Sequence, residues 1–290
     1  MGAVANVTEY GNAVTIGNAL GAVMAPAFVK SNCMMNLIYT EGLPVGANTK
    51  KLVKKGSMTG ATLAESTALA PDANGELTDT SVTATIAKCA VVSGLSVEAE
   101  AFTNLTLDRI AEEHGAAIGR FVDNDALGLA SGLSVSVTAA SVMDIDSIML
   151  AQFHIYNSET PNKEVTLQCV LNPKAHYNIK KEMIQAGASA WTNQTFLDVL
   201  QSKPAQNCYV GSVPGLADFY ATTGFGTSGG DTYSMLFHPM WCFAGCFAPA
   251  PVTWIKPKGA EGFYTEVATY FLYDVLEWND AAGVGLLSDT

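Results

Sequence analysis

The sequence is short of charge. Only 14% of its 290 residues are Asp, Glu, Lys or Arg, against about a quarter in ordinary soluble domains. A soluble monomer normally carries more surface charge, so either other copies of the chain cover much of the exterior or this is a charge-poor extracellular protein. Arginine is nearly missing, Arg109 and Arg120 being the two present. With a net charge of −12 and an isoelectric point near 4.6, no basic face is available to displace counterions from phosphates. That excludes a nucleic-acid-reading module. No apolar run approaches the roughly 18 residues of a membrane span. Residues 2–29 lack a basic lead-in, and Glu9 interrupts them, so no signal peptide is read. No Gly-Lys dipeptide occurs, which excludes the usual phosphate-binding P-loop. Cys33, Cys89, Cys169, Cys208, Cys242 and Cys246 are too scattered for a disulfide scaffold. They read as reduced, core-filling thiols of a chain made in a cytoplasm.

The charge that is present is unevenly placed. Lys50, Lys51, Lys54 and Lys55 crowd together, and Glu41 is the one acid between Lys30 and Lys55. Such a run is either a solvated face or a segment suited to an acidic neighbour. Residues 1–35 are rich in Gly, Ala, Asn and Val without firm periodicity, and Gly2, Gly11, Gly17 and Gly21 weaken any helix. They predict an extended arm ordered by a partner. Residues 36–79 give short β-like pieces, 36–40 and 49–55, broken by glycines and prolines. Their apolar residues are too sparse for a separate core, which predicts a projecting hairpin.

From Thr80 the pattern sharpens. Val82, Ala84 and Ile86 alternate with Thr83, Thr85 and Ala87 as in a half-buried strand. A long helix is predicted over 104–130, with Leu107, Ile110, Ala111, His114, Ile118, Phe121, Val122 and Leu129 on one face. Asp108, Glu112, Glu113, Arg120 and Asp123 lie mostly elsewhere, and Gly132 supplies a stop. Asp125 falls on the apolar stripe and predicts a buried polar contact or an intersubunit pair. A second helix is predicted over 144–156, with Ile145, Ile148, Met149, Gln152 and Tyr156 on its apolar face. A strand over 164–171, the break Asn172-Pro173 and a helix over 174–185 follow, an α/β alternation. Residues 234–250 read as buried, and 262–278 as strand, long or broken once.

This order of elements resembles the HK97-type fold of major capsid proteins from tailed double-stranded DNA bacteriophages. Glu76-Leu77-Thr78-Asp79-Thr80, Thr83-Ala84-Thr85 and Lys88 look like the end of that family's extension loop (E-loop) and the next strand. The run 111–129, with Phe121-Val122-Asp123-Asn124-Asp125-Ala126, looks like its spine helix. Val170-Leu171-Asn172-Pro173 looks like a strand end opening an axial-domain helix. The run 270–278 with Ala281, Gly283 and Val284 looks like its closing strand.

The resemblance implies an α+β chain with five parts: an arm over 1–35, an E-loop over 36–79, a peripheral (P) domain over 80–142, an inserted axial (A) domain over 143–254, and a return strand over 255–290. It implies pentamers and hexamers closing into an icosahedral head around double-stranded DNA, bound without sequence specificity. Scaffolding, portal and decoration proteins would be partners, with no membrane, no cofactor and no enzymatic activity. The chain would be made in the host cytoplasm and end in the virion. Lys50, Lys51, Lys54 and Lys55 would be intersubunit contacts of the E-loop, and Asp108, Arg109, Arg120 and Asp125 would mark the spine helix. An encapsulin-like compartment shares the implied fold, and a Cys-dependent enzyme is the alternative from another class.

Three motifs compete with that reading. Gly224-Phe225-Gly226-Thr227-Ser228-Gly229 matches G-x-G-x-x-G, but no helix is evident after it, so it reads as a loop. His238, Cys242 and Cys246 have metal-like spacing on a helix, yet Phe237, Trp241, Phe243 and Phe247 around them point to core. Cys169 and His176 are close in sequence, but Cys169 belongs to a buried strand and no nucleophile elbow is present.

Overall fold

A computed structural model describes residues 20–43, 48–54, 80–96, 107–139, 142–158, 165–187, 208–213, 215–228, 230–256 and 264–289. Residues 20–31 form a helix, α1, and a 3₁₀ turn follows at Met34–Asn36. Leu20, Met24 and Phe28, four residues apart, are 3%, 0% and 4% exposed. This corrects the extended-arm expectation for residues 20–35. Low propensity is overridden because the apolar stripe finds a tertiary partner, while Pro26 faces outward. The arm expectation for residues 1–19 falls outside the described residues.

Strands β1 (Tyr39–Gly42), β2 (Thr49–Lys54), β3 (Thr80–Thr85) and β4 (Ala87–Ser96) precede the long helix α2 (Leu107–Gly128), which tightens into a 3₁₀ turn at Leu129–Gly132. Then come β5 (Ser136–Thr138), α3 (Ile145–Asn157), β6 (Leu167–Leu171), α4 (Pro173–Gly187), β7 (Tyr209–Val213) and β8 (Ala217–Ala221). β9 (Thr227–Ser228), β10 (Asp231–Phe237), β11 (Phe243–Phe247), β12 (Val252–Lys256), β13 (Tyr264–Glu277) and β14 (Gly283–Asp289) complete the order.

Two sheets share the core. In the first, β13 runs unbroken for 14 residues. β4 pairs along one edge of it, β12 and β11 follow one another along the other, and β1 adds in parallel to β11. Val267, Thr269, Phe271, Tyr273 and Val275 alternate inward from β13 and are buried, as the two-residue period of a strand requires. α2 packs against β4 and β13.

The second sheet has the order β5-β14-β10-β6-β8-β7, with β9 beside β10. One face carries Cys169, Leu171, Leu236 and Leu286 against Ile148, Ala151 and Ile155 of α3 and Ala175 and Ile179 of α4. The other face presents Val170, Tyr220, Met235 and Phe237 to Val122, Ala126 and Leu127 of α2. Residues 243–256 therefore pair within the first sheet and 283–289 within the second, so the sheets divide the chain differently from the 143–254 and 255–290 boundaries. The buried face of α3 is also rotated from the expected one, leaving Met149 54% exposed.

Local chemistry places the helix starts. Asp144 caps α3, accepting from Ser147 N at 2.8 Å. Asn172 caps α4 through Ala175 N at 2.8 Å, and its side-chain amide also reaches Ser234 Oγ at 3.2 Å. Pro173 follows at the first helical position, where a missing N–H costs nothing. β2 and β3 form a ribbon whose base is anchored: Leu52 and Ala84 bury against Ala244 and Cys246 of β11. The rest of the expected hairpin, 55–79, lies outside the described residues.

Candidate assembly surfaces

The geometry begins where α1 crosses α2. A β-carbon on Gly115 would stand 2.6 Å from Met24 O, and one on Gly119 2.7 Å from Phe28 O and against Ser31 Oγ. These two glycines let helix backbones approach as side chains would forbid. One turn on, Asp123 reaches back to the same segment. Its Oδ1 accepts from Cys33 N at 2.9 Å and Met34 N at 2.7 Å, and Thr222 also hydrogen-bonds to its carboxylate.

Asp123 is 4% exposed. Burial pushes its carboxyl above the ordinary 3.8, while the hydrogen bonds from Met34, Cys33 and Thr222 oppose that rise. In the window above 3.8 the native chain holds a proton that the unfolded chain has released. This group's contribution to stability therefore declines as pH rises through its folded value. Asp123→Asn keeps an oxygen for both N–H groups and is expected to flatten this part of the melting temperature's pH dependence. Asp123→Ala strands both donors and is expected to cost about 2–4 kcal/mol in urea denaturation. The structure thus makes Asp123, and not Asp125, the buried carboxylate of α2. Asp125 is exposed and accepts from Tyr273 Oη at 3.1 Å. Phe121, expected on the buried face, is 55% exposed and meets Tyr273 edge-on. Asp108, Arg109 and Arg120 lie on the exposed side of α2.

Lys50 has partners within its own chain. Lys50 pairs with Glu41 and donates to Gly42 O at 2.8 Å, while Tyr39 Oη donates to the other Glu41 oxygen at 2.9 Å. The Lys50 hydrogen bond is the main reason the Glu41 carboxyl sits below its ordinary value. Lys50 thereby clasps β2 to β1. Lys51 is exposed on β2, Lys54 ends that strand, and Lys55 lies outside the described residues.

The outward face of the first sheet carries an apolar patch between charged residues such as Lys88 and Glu266. Val92, Val252 and Trp254 are 57%, 47% and 54% exposed. Pairing sets them in rows: Ala268 stands between Val92 and Trp254, and Tyr270 between Ala90 and Val252. Lys88 Nζ lies 4.2 Å from the centre of the Tyr270 ring. A second apolar patch, Met149, Leu150 and Phe153, lies on the outer side of α3. Contiguous exposed apolar surface of this kind marks an interaction site. Sequence alternation missed the first patch because the middle of β13, Ala268 to Leu272, carries apolar side chains on both faces.

No family model matches the chain, and no curated protein matches it. Solved structures do. The capsid of Ralstonia phage GP4 aligns over 90% of this chain and 92% of its own, at a TM-score of 0.66 and 9% identity. The head structure of Helicobacter pylori bacteriophage KHP40 aligns over 90% and 91%, at 0.63 and 12%. A virus-like particle from Pyrococcus furiosus aligns over 93% and 99%, at 0.56 and 10%. The chain has the HK97-type capsid fold.

Within this capsid fold the competing motifs lose their chemistry. Residues 227–228 and 231–237, at and after the glycine-rich run, are strands, so no helix N-terminus faces a phosphate. His238 Nδ1 accepts from Met240 N at 3.2 Å, and Cys242 and Cys246 belong to different buried clusters on a turn and a strand. Cys169 is wholly buried, which pushes its thiol up, away from the thiolate that a nucleophile needs. Among the described residues no helix is long and apolar enough to cross a membrane.

Proposed function

We propose that the chain is a major capsid protein, a structural and non-enzymatic subunit that assembles into pentamers and hexamers of an icosahedral phage head. The observation that carries this reading is the likeness to phage capsids across about nine-tenths of both chains. The apolar outer face around Trp254 supports it, because a charge-poor subunit that buries such a face against copies of itself gains at every repeat of the symmetry. In this reading the first sheet with α2 is the peripheral domain, and the second sheet with α3 and α4 is the axial domain. Residues 36–79 supply the E-loop, rooted by the Lys50–Glu41 clasp, and Lys51, Lys54 and Lys55 are its contacts to an acidic neighbour. The shell would enclose double-stranded DNA without reading its sequence, and scaffolding, portal and decoration proteins would be its partners. The chain would be made in the host cytoplasm and end in the virion.

Negative-stain microscopy of the purified, concentrated protein tests the reading. Closed shells or capsomer rings are expected. A protein that stays at its monomer mass of 30.4 kDa across assembly conditions would sink it. The likeness to the Pyrococcus furiosus particle keeps an encapsulin-like shell as the second reading. Shells that take in a cargo enzyme through a peptide tag, and no DNA, would favour that one.

A further inference from the structure

A line of hydrogen bonds runs through the seat of α1. Ser93 Oγ of β4 lies 2.6 Å from His114 Nε2, and His114 Nδ1 lies 3.0 Å from Thr269 Oγ1 of β13. Thr269 Oγ1 is 3.4 Å from Thr253 Oγ1 of β12, which donates to Met24 Sδ of α1 at 3.7 Å. A thioether only accepts, and this fixes every donor along the line. Thr253 gives its one proton to Met24, so Thr269 donates to Thr253 and accepts from His114 Nδ1–H. Nε2 is then the acceptor of a neutral ring and takes the Ser93 proton. His114, Thr269 and Met24 are 2%, 0% and 0% exposed, while Ser93 is half-buried. Among the described residues no charged side chain faces the ring. Glu112 and Glu113 beside it on α2, and Lys30 on α1, are exposed, and Lys88 of β4 and Glu266 of β13 belong to the outer side of the sheet. β12 presents the neutral Thr253 on this side.

We propose that His114 is an acid-release latch: the neutral ring seats α1, and a second ring proton undocks α1 while both sheets stay folded. The device is built within one chain and does not depend on assembly. Ser93 can turn its hydroxyl to accept from a protonated Nε2, but nothing beside the ring balances the new charge. A buried charge without a counter-charge is costly. Burial accordingly holds the imidazole below its ordinary 6.5. As pH falls below 6.5, an uncovered ring takes up a proton that the covered ring refuses, so acid favours uncovering. α1 is the cover that lifts most readily. β4 and β13 are joined through ten consecutive residue pairs, whereas α1 is a single helix seated by its side chains. It crosses α2 at Gly115, next to His114, where Met24 O lies 2.6 Å from the place of an added β-carbon. Small units held in this way open locally, ahead of paired strands. Asp123, at the far end of the seat, responds with the opposite sign, since its raised carboxyl binds a proton more readily in the fold.

Hydrogen exchange read by mass spectrometry tests the latch on the full-length protein, with labelling times matched for the chemical exchange rate at about pH 7.5 and about pH 5. Peptides within 20–31 are expected to lose protection at the lower pH, several-fold and at most about 30-fold, the limit set by an uncovered ring at its ordinary 6.5. They should regain it on return to the higher pH. Peptides of β10 and β13 should keep theirs. His114→Gln retains one acceptor for Ser93 and one donor for Thr269 but takes up no proton, so it should abolish the acid-dependent loss. Equal protection of 20–31 at both pH values in the unaltered protein, a loss shared by β10 and β13, or a loss that survives His114→Gln would each overturn the proposal. If the variant fails to fold, a pH series on the unaltered protein decides. Loss already under way at about pH 5 supports the latch, and loss absent there, beginning only where carboxylates titrate, overturns it.

Discussion

Gly119→Ala is expected to destabilise the chain by about 3 kcal/mol, because an added β-carbon has no room beside a rigid backbone. Helix propensity alone predicts the opposite sign, since Gly to Ala in a helix interior gains about 1 kcal/mol. The added carbon would lie 2.7 Å from Phe28 O and against Ser31 Oγ. Ser31 can rotate only by giving up its bonds to Ala27 O and Phe28 O, and the carbonyl of Phe28 can retreat only if α1 does. Retreat returns Leu20, Met24 and Phe28 to water, at about 1.5–3 kcal/mol for each large side chain fully exposed. That sum bounds the loss, since beyond it α1 undocks as a unit. Gly128→Ala is the control. It lies in the same helix with nothing within 4 Å of the added carbon, and should gain a few tenths to about 1 kcal/mol. Urea denaturation of both variants reads the difference. Equal gains would mean that the close α1–α2 crossing is not present in solution.

The second large effect concerns assembly. Val92→Asp combined with Trp254→Asp places charge on the outer rows of the first sheet, where both side chains are about half exposed. Loss of strand propensity costs the subunit at most about 1 kcal/mol per site, so it should still fold and show an unchanged far-ultraviolet circular dichroism spectrum. A buried tryptophan at an interface is commonly worth 2 kcal/mol or more, so the concentration needed for assembly should rise at least about 30-fold. Analytical ultracentrifugation across a dilution series measures it. Assembly at the original concentration would show that this face stays exposed in the particle. An unfolded variant would show instead that the face is core.

Much of the framework was readable in advance where a single period dominates. Val82, Ala84 and Ile86 announced β3, the three-four spacing from Leu107 announced α2, and Asn172-Pro173 marked the junction of β6 and α4. What escaped depended on partners distant in sequence. The Leu20, Met24 and Phe28 stripe sits among alanines and glycines, and it becomes a helix against Gly115 and Gly119, which look like gaps in a stripe and not a seat. Asp123 and Asp125 are two residues apart, and only the return of Cys33 and Met34 decides which carboxylate is buried. Lys50 looked like one of four equal lysines because Glu41 is brought to it by β1 lying in the first sheet. The outer rows stayed hidden because Tyr270 and Leu272 are large and mostly apolar, like the Phe271 they flank.

Both sheets are completed by strands that follow their partners in sequence. β13 is flanked on both edges in the first sheet, and β14 lies between β5 and β10 in the second. Among the described strands β4 and β12 each pair with β13 alone, so both wait for residues 264–277. Long-range pairings of this kind form slowly. A chain in which β13 has not yet paired therefore cannot present the finished outer rows. The face that carries Trp254 comes into being only with the longest-range pairing of its sheet, so its appearance reports that this sheet has closed.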